Sequence, residues 1–329
     1  MPISKSTKSL FLLIITAMIW GFSFVVQKTG TDFVGPFLFN GLRSVLAAFV
    51  LLVFILISNK VNSQKNTEKT ALNTDNLATL DTSNPENNLS TRLKVFLKSD
   101  LAKGGFFTGT ALAIGINMQQ AALVFTSASK AGFLTALYIV LVPIFGLFLK
   151  QKIYWNVWVS VIIATVGLYF LCLTEALSIA PGDLVVVISA IFWAVHILVV
   201  DFYSPKVNAI KLSCVQFFVA SAWSFLLSIF FDHFFMKEII WANIVAVIPA
   251  LLYVGIMSSC VGFTLQIYAQ KNAKPSAASI TLSLESVFAT IGGFIVLGEV
   301  FTTRELLGCV LLFVAVTLAQ IQVKKRNNN

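Results

Sequence analysis

Residues 36–58 read PFLFNGLRSVLAAFVLLVFILIS, with Arg43 as the single charge. The hydrocarbon core of a bilayer is about 30 Å thick and takes about 20 apolar residues of α-helix to cross. A helix is suited to that medium because it satisfies its own backbone hydrogen bonds. The run is therefore long and apolar enough to cross. Nine further runs of that kind occupy 9–27, 101–124, 131–149, 153–173, 183–203, 211–231, 243–268, 276–297 and 303–323. Together they predict ten transmembrane helices, and the gaps between them are short and hold charge, Gly, Pro or Asn.

Composition points the same way. Of 329 residues, 57% are hydrophobic and 11% charged, and the mean hydropathy is +0.88. A soluble domain carries about 25% charged residues on its wetted surface. The net charge of +9 is scattered through the gaps, unlike the clustered footprint of a nucleic-acid binder. Cys172, Cys214, Cys260 and Cys309 each stand alone in an apolar run, which reads as packing and not as a metal site or disulfide framework. The run after Lys5 and Lys8 continues through Trp20-Gly21 to Val26 without a small-residue cleavage site, so it is expected to stay as the first helix.

The exception is 59–100, rich in Asn, Thr, Ser and Lys. It predicts a mostly disordered loop over about 59–98, with a short helix near 91–98. The sequon at Asn88–Ser90 carries no meaning on a cytoplasmic loop. Eighteen of the 23 basic residues fall on one side of the alternating topology, against Lys28, Lys130, Lys237 and Arg304 on the other, with Arg43 inside a helix. Excess Lys and Arg mark the cytoplasmic side, so both termini and the long loop are expected there.

The chain also repeats. At an offset of 173, Ala17, Trp20, Gly21, Arg43 and Ala47 lie over Ala190, Trp193, Ala194, Gln216 and Ala220. The offset then falls to 148, setting Ala121, Leu134 and Leu149 over Ala269, Leu282 and Leu297. The long loop accounts for the change. Five helices per half is an odd number, so the halves are inverted, as in many transporters that alternate access around a midplane site.

Several stretches resemble the drug/metabolite transporter superfamily in its EamA branch: MIWGFSF at 18–24, GLRSVLAA at 41–48, ALVFTSASKAGFLTALYIVLVP at 122–143, PSAASITLSLESVFAT at 275–290 and VLGEV at 296–300. The resemblance implies an all-α polytopic membrane protein of ten helices. It further implies inverted five-helix repeats, at 1–175 and 176–329, and export of small metabolites. The family often has Pro where Tyr138 and Ser286 stand, and LGE where this chain has LKQK at 149–152.

Polar residues at membrane depth need a reason to be there. Glu285 lies near the middle of the ninth helix, as a substrate counter-ion, a proton carrier or a structural bond. Arg43 in the second helix reads as structural, and His196 in the sixth as packing or ligand. Trp20 and Trp193 hold matching mid-helix positions, away from the interfacial belts, as cavity walls or as packing. Asn117 with Gln120, Thr135 with Tyr138, and Gln266 with Gln270 share helix faces, lining a path or joining helices. Gly105, Gly109, Ala111, Gly115, Gly292 and Gly293 read as close-packing positions.

The candidate substrate-binding set is Trp20, Ser23, Asn117, Gln120, Tyr138, Trp193, His196, Gln266 and Glu285, with Glu285 as the proton-coupling candidate. No metal, cofactor or nucleic acid is expected; a small-molecule substrate and membrane lipid are, and a homodimer is possible. The chain lacks HExxH, GxSxG and phosphate-loop patterns, which argues against catalysis and ATP-driven pumping. The expectation is a secondary transporter, an exporter of an amino acid, amine or similar metabolite across the cytoplasmic membrane. The alternatives are an intramembrane lipid-modifying enzyme and a non-transporting membrane scaffold.

Overall fold

A computed structural model of the chain describes residues 4–30, 34–72, 89–125, 128–172, 181–234, 241–297 and 302–321. Among these, every regular element is helical. In chain order they are α1 (Lys5–Gly30), α2 (Pro36–Leu72), α3 (Leu89–Lys98), α4 (Asp100–Ala122), α5 (Ala128–Ala136), α6 (Tyr138–Phe148), α7 (Trp155–Cys172), α8 (Pro181–Tyr203) and α9 (Ala209–Phe231). The last five are α10 (Trp241–Leu252), which continues through a π-helical stretch, Tyr253–Gly262, into α11 (Phe263–Gln270), then α12 (Pro275–Leu282), α13 (Glu285–Leu297) and α14 (Thr303–Gln320).

Seven helices among the described residues are long and apolar enough to cross a membrane: Lys5–Ser23, Pro36–Asn62, Ala131–Phe148, Pro181–Tyr203, Ala209–Phe234, Val245–Gln270 and Thr303–Gln320. Three expected spans fall outside that set, each for a local reason. In α4 the glycines and Asn117, Gln119 and Gln120 dilute an otherwise apolar helix. The apolar part of α7, Trp155–Leu171, is short. The ninth run is divided into α12 and α13.

Of the segment expected to be a mostly disordered loop over 59–98, the start continues α2, and the short helix expected near 91–98 is present. Helix α2 runs on to Leu72, and Leu89–Lys98 is helical; 73–88 lie outside the described residues. Lack of aromatics argues against a packed core, but a helix already nucleated in the bilayer extends at one hydrogen bond per residue.

Caps fix several helix starts. Ser99 accepts from Ala102 N at the head of α4, and Asn208 accepts from Ile210 and Lys211 N at the head of α9. Thr302 and Glu305 form a capping box on α14. The head of α2, with Pro36 at its first position, is capped from another helix: Asp232, just past α9, accepts from Phe37 N at 3.1 Å and Leu38 N at 2.7 Å. A carboxylate there also meets the positive end of the helix dipole.

The main packing partners join one half of the chain to the other: α2 with α9, α7 with α14, α4 with α8 and α9, and α1 with α13. Without a hydrophobic drive between helices in lipid, close backbone approach carries much of the contact. A Cβ added to Gly109 would lie 2.5 Å from the Gln216 carbonyl oxygen, and one on Gly308 would lie 2.7 Å from that of Gly167.

Candidate functional site

Two apolar runs, the fourth and the ninth, are broken. Between α5 and α6, Leu137 has φ −59°, ψ −12°; after α12, Ser283 has φ −62°, ψ −13°. Both lie near the 3₁₀ region. The bonds tighten accordingly: Leu137 N to Leu134 O and Val140 N to Leu137 O, then Leu284 N to Thr281 O and Ser286 N to Ser283 O. No proline stands at Tyr138 or Ser286, so the breaks have other causes. Pro143 cannot donate to the Ile139 carbonyl. In α12, Ser279, Thr281 and Ser283 donate their hydroxyls to the carbonyls of Ser276, Ala277 and Ile280, a pattern that bends helices.

The residues that resume each helix meet. Tyr138 Oη donates to Glu285 Oε1 at 3.2 Å, joining the two breaks across the halves. Both line a small cavity with Trp20, Gln27, Arg43, Gln119, Thr135, Trp193, Ile197, Ser258, Phe263, Gln266 and Leu282. Its volume is about 40 Å³, room for a few waters at roughly 10–15 Å³ each. The side chains must spread to admit a metabolite.

One wall is aromatic. Phe263 forms a triangle with the two tryptophans, 4.5 Å from the Trp20 ring and stacked 6.2 Å from Trp193; the tryptophan centroids are 6.5 Å apart. Trp20 Nε1 donates to the Ser258 carbonyl in the π-helical stretch. Two glycines make room: a Cβ on Gly262 would lie 2.6 Å from Trp20 Nε1, and one on Gly21 would lie 2.6 Å from the Glu285 carbonyl oxygen. The Trp-Gly pair of the first helix therefore places an indole at the cavity and brings α1 onto α13.

The polar lining is under-bonded. Arg43 Nη1 donates to Gln27 Oε1 at 2.8 Å, and Gln119 Nε2 to Thr135 Oγ1 at 2.9 Å. Arg43 Nε and Trp193 Nε1, both donors, and Gln266 Oε1, an acceptor, are buried without partners. Such groups are costly unless something fills them.

Of the nine candidates, Trp20, Tyr138, Trp193, Gln266 and Glu285 line the cavity. The other four face helix contacts. Ser23 donates to the Ile19 carbonyl. Asn117 joins α2, α4 and α9, accepting from Asn40 and donating to Ser224. Gln120 is buried with Nε2 unpartnered, away from the lining. His196 stands behind the aromatic wall, edge-on to Trp193 and Phe263, with Nε2 3.3 Å from Gln216 Oε1. Phe263, Gln27 and Gln119, which nothing in the sequence singles out, also line the cavity, as does Arg43, expected to be structural. Among the described residues no three His, Cys, Asp or Glu side chains gather to hold a metal.

A helical multi-pass membrane protein with a polar cavity at two broken helices has the architecture of a transporter. The EamA-like transporter family matches at residues 7–82 and 180–320, and the chain belongs to that family. It is 29% identical over 312 residues to an uncharacterized transporter of Archaeoglobus fulgidus, covering 94% of this chain and 85% of the other. It is 22% identical over 308 residues to the uncharacterized transporter YoaV of Bacillus subtilis, covering 91% and 92%. One solved crystal structure superposes with a TM-score of 0.69 at 17% identity over 95% of this chain and 96% of that one, a likeness of fold. The protein is a transporter.

Proposed function

We propose that the protein is a secondary transporter that exports a small polar or amphipathic metabolite, of the amino acid or amine kind, by alternating access at this cavity. The carrying observation is the coincidence of two paired helix breaks with unpartnered donors, an unpartnered acceptor, a carboxyl and an aromatic wall. Interrupted helices in corresponding positions of two halves point to a transport site. The aromatic wall suits an apolar face, while Gln266, Glu285, Arg43 and Trp193 suit polar groups. Export rests on the family resemblance. The partners of this reading are the solute and the surrounding lipid, with a homodimer as a possible assembly.

The same reading takes the chain as ten spans, counting α4, α7 and the α12–α13 pair with the other seven. Packing supports a twofold relation between halves. Contact of α4 with α8 has its counterpart in α1 with the π-helical stretch and α11; that of α1 with α13 has one in α8 with α5 and α6. The pairs α2 with α9 and α7 with α14 are their own counterparts.

The test is Glu285→Gln in reconstituted liposomes, with labelled amino acids, amines and nucleosides as solutes. The expected result is normal abundance with flux abolished or its pH dependence removed. Normal flux with normal pH dependence in a well-expressed variant would overturn the reading. If Glu285 served only to neutralise Arg43, the variant would instead lose stability, by about 3–5 kcal/mol for a broken buried pair, and Arg43→Gln would restore it.

A further inference from the structure

A second, larger cavity of about 730 Å³ opens at the lysine-rich end of the bundle. Its wall is drawn from both halves: the start of α1, the α6–α7 turn, the end of α8, the α11–α12 turn and the end of α14. The head of α12 forms part of it through Pro275, Ser276 and Ala277. That head has no side-chain cap, because Lys274 holds the capping position. Its first amide donors therefore lack the usual side-chain acceptor, and the positive end of the helix dipole faces the cavity.

A second observation is independent of the helix end. Ser276 Oγ, Gln270 Oε1 and Asn156 Oδ1 all belong to lining residues that are at least nine-tenths buried, and all three atoms lack a partner. The two amides have committed their donors elsewhere: Gln270 Nε2 to the Ile197 carbonyl, and Asn156 Nδ2 to the carbonyls of Leu318 and Ile321. Their free oxygens can only accept. Lys152, Lys271 and Lys274 line the same cavity against Asp201. Lys271 Nζ is held by the Val207 carbonyl at 2.9 Å, and Lys274 Nζ rests 4.6 Å over the Tyr154 ring.

We propose that this vestibule is a second solute site, for a small monoanion that carries its own hydroxyl or amine donors. The α12 amides, the Ser276 hydroxyl and Lys274 take the anionic oxygens, as helix heads do. Gln270 Oε1, Asn156 Oδ1 and Asp201 take the donors, and the aspartate disfavours a second negative charge. The vestibule and the central cavity share α12, whose head lines the first and whose far end, Leu282, lines the second. Seven residues at 1.5 Å each place the two about 10 Å apart. An anion seated on α12 therefore binds the half-helix that leads into the break at Ser283. The inference rests on the transporter reading only for calling this space a vestibule.

The probe is radiolabelled L-lactate, a monoanion with one hydroxyl, titrated onto the full chain in nanodiscs of phosphatidylcholine alone or with phosphatidylglycerol. Saturable binding is expected, weakened about tenfold by Lys274→Gln and by Ser276→Ala, the loss of a charge-assisted bond. Lys274 is exposed, so its variant leaves the fold intact. Equal binding in both discs supports the site and assigns it to free solutes. Loss of lactate only when phosphatidylglycerol is present supports the site and assigns it to a lipid headgroup, a phosphodiester monoanion that offers the same pairing of one negative charge with a hydroxyl. No saturable binding, or binding indifferent to both substitutions, overturns the proposal. The readout is equilibrium binding and not flux, so it is independent of the Glu285→Gln result.

Discussion

Lys150 has φ 58°, the one positive value among described non-glycine residues. It follows the end of α6 in a Schellman turn: Gln151 N reaches back to the Gly146 carbonyl and Lys150 N to that of Leu147. That position usually belongs to glycine, and the LGE of the family resemblance has its glycine at this place. An L-residue there costs about 1–2 kcal/mol, while a glycine costs about 0.5–1 kcal/mol of chain entropy. The balance favours Lys150→Gly slightly, so thermal unfolding of the purified protein should hold steady or rise. Lys150→Val should lower stability by about 1 kcal/mol or more, since a β-branched residue fits this region worst. Other residues differ in how far the chain announces them. Trp20, Trp193 and Glu285 stand out because large polar or indole groups are out of place at mid-membrane. Phe263 does not, being one of 30 phenylalanines in a run where each looks alike. Gln119 and Gln120 are adjacent, about 100° apart on a 3.6-residue helix. Both flanks of α4 are buried among other helices, so no polar stripe tells which glutamine faces the cavity.

At the scale of elements, length and hydropathy locate the helices but average over what interrupts them. The split of 128–148 at Leu137 and the π-helical stretch at Tyr253–Gly262 leave no trace in a 20-residue apolar run. Both are backbone adjustments settled by packing, the latter where Trp20 bonds the Ser258 carbonyl. The break at Ser283 has a local cause that can be tested. If hydroxyls bonded to the preceding turn hold α12 bent, replacing Ser279 and Ser283 by alanine removes two such bonds and favours a straight helix. The double variant should keep its abundance, because both hydroxyls are satisfied within the helix and leave no orphaned partner on another element. Its transport should fall several-fold in liposomes, since straightening α12 into α13 moves Glu285 away from Tyr138. Unchanged flux in an abundant double variant would show that the serines do not maintain the break.

For the whole molecule, the number of spans and the side on which the chain ends are one question. Seven spans, an odd number, would set the termini on opposite faces of the membrane; ten set them on the same face. Seven helices among the described residues are long and apolar enough to cross. Charge favours ten: with that count, 18 basic residues gather on one side against four on the other, and dropping any single span would exchange the sides of every later loop. The proposed ten include α4 and α7, which pack against second-half helices. The low hydropathy of α4 follows from glycines and amides that protein, not lipid, surrounds, whereas α7 is apolar but short. Reporter fusions after Lys8, after Lys98 and at the C-terminus should all give a cytoplasmic signal, with fusions near Lys130 and Arg304 giving an external one. The C-terminal fusion is the decisive member of the set. An external signal there would restore an odd count and break the pairing of halves on which the inverted repeat depends.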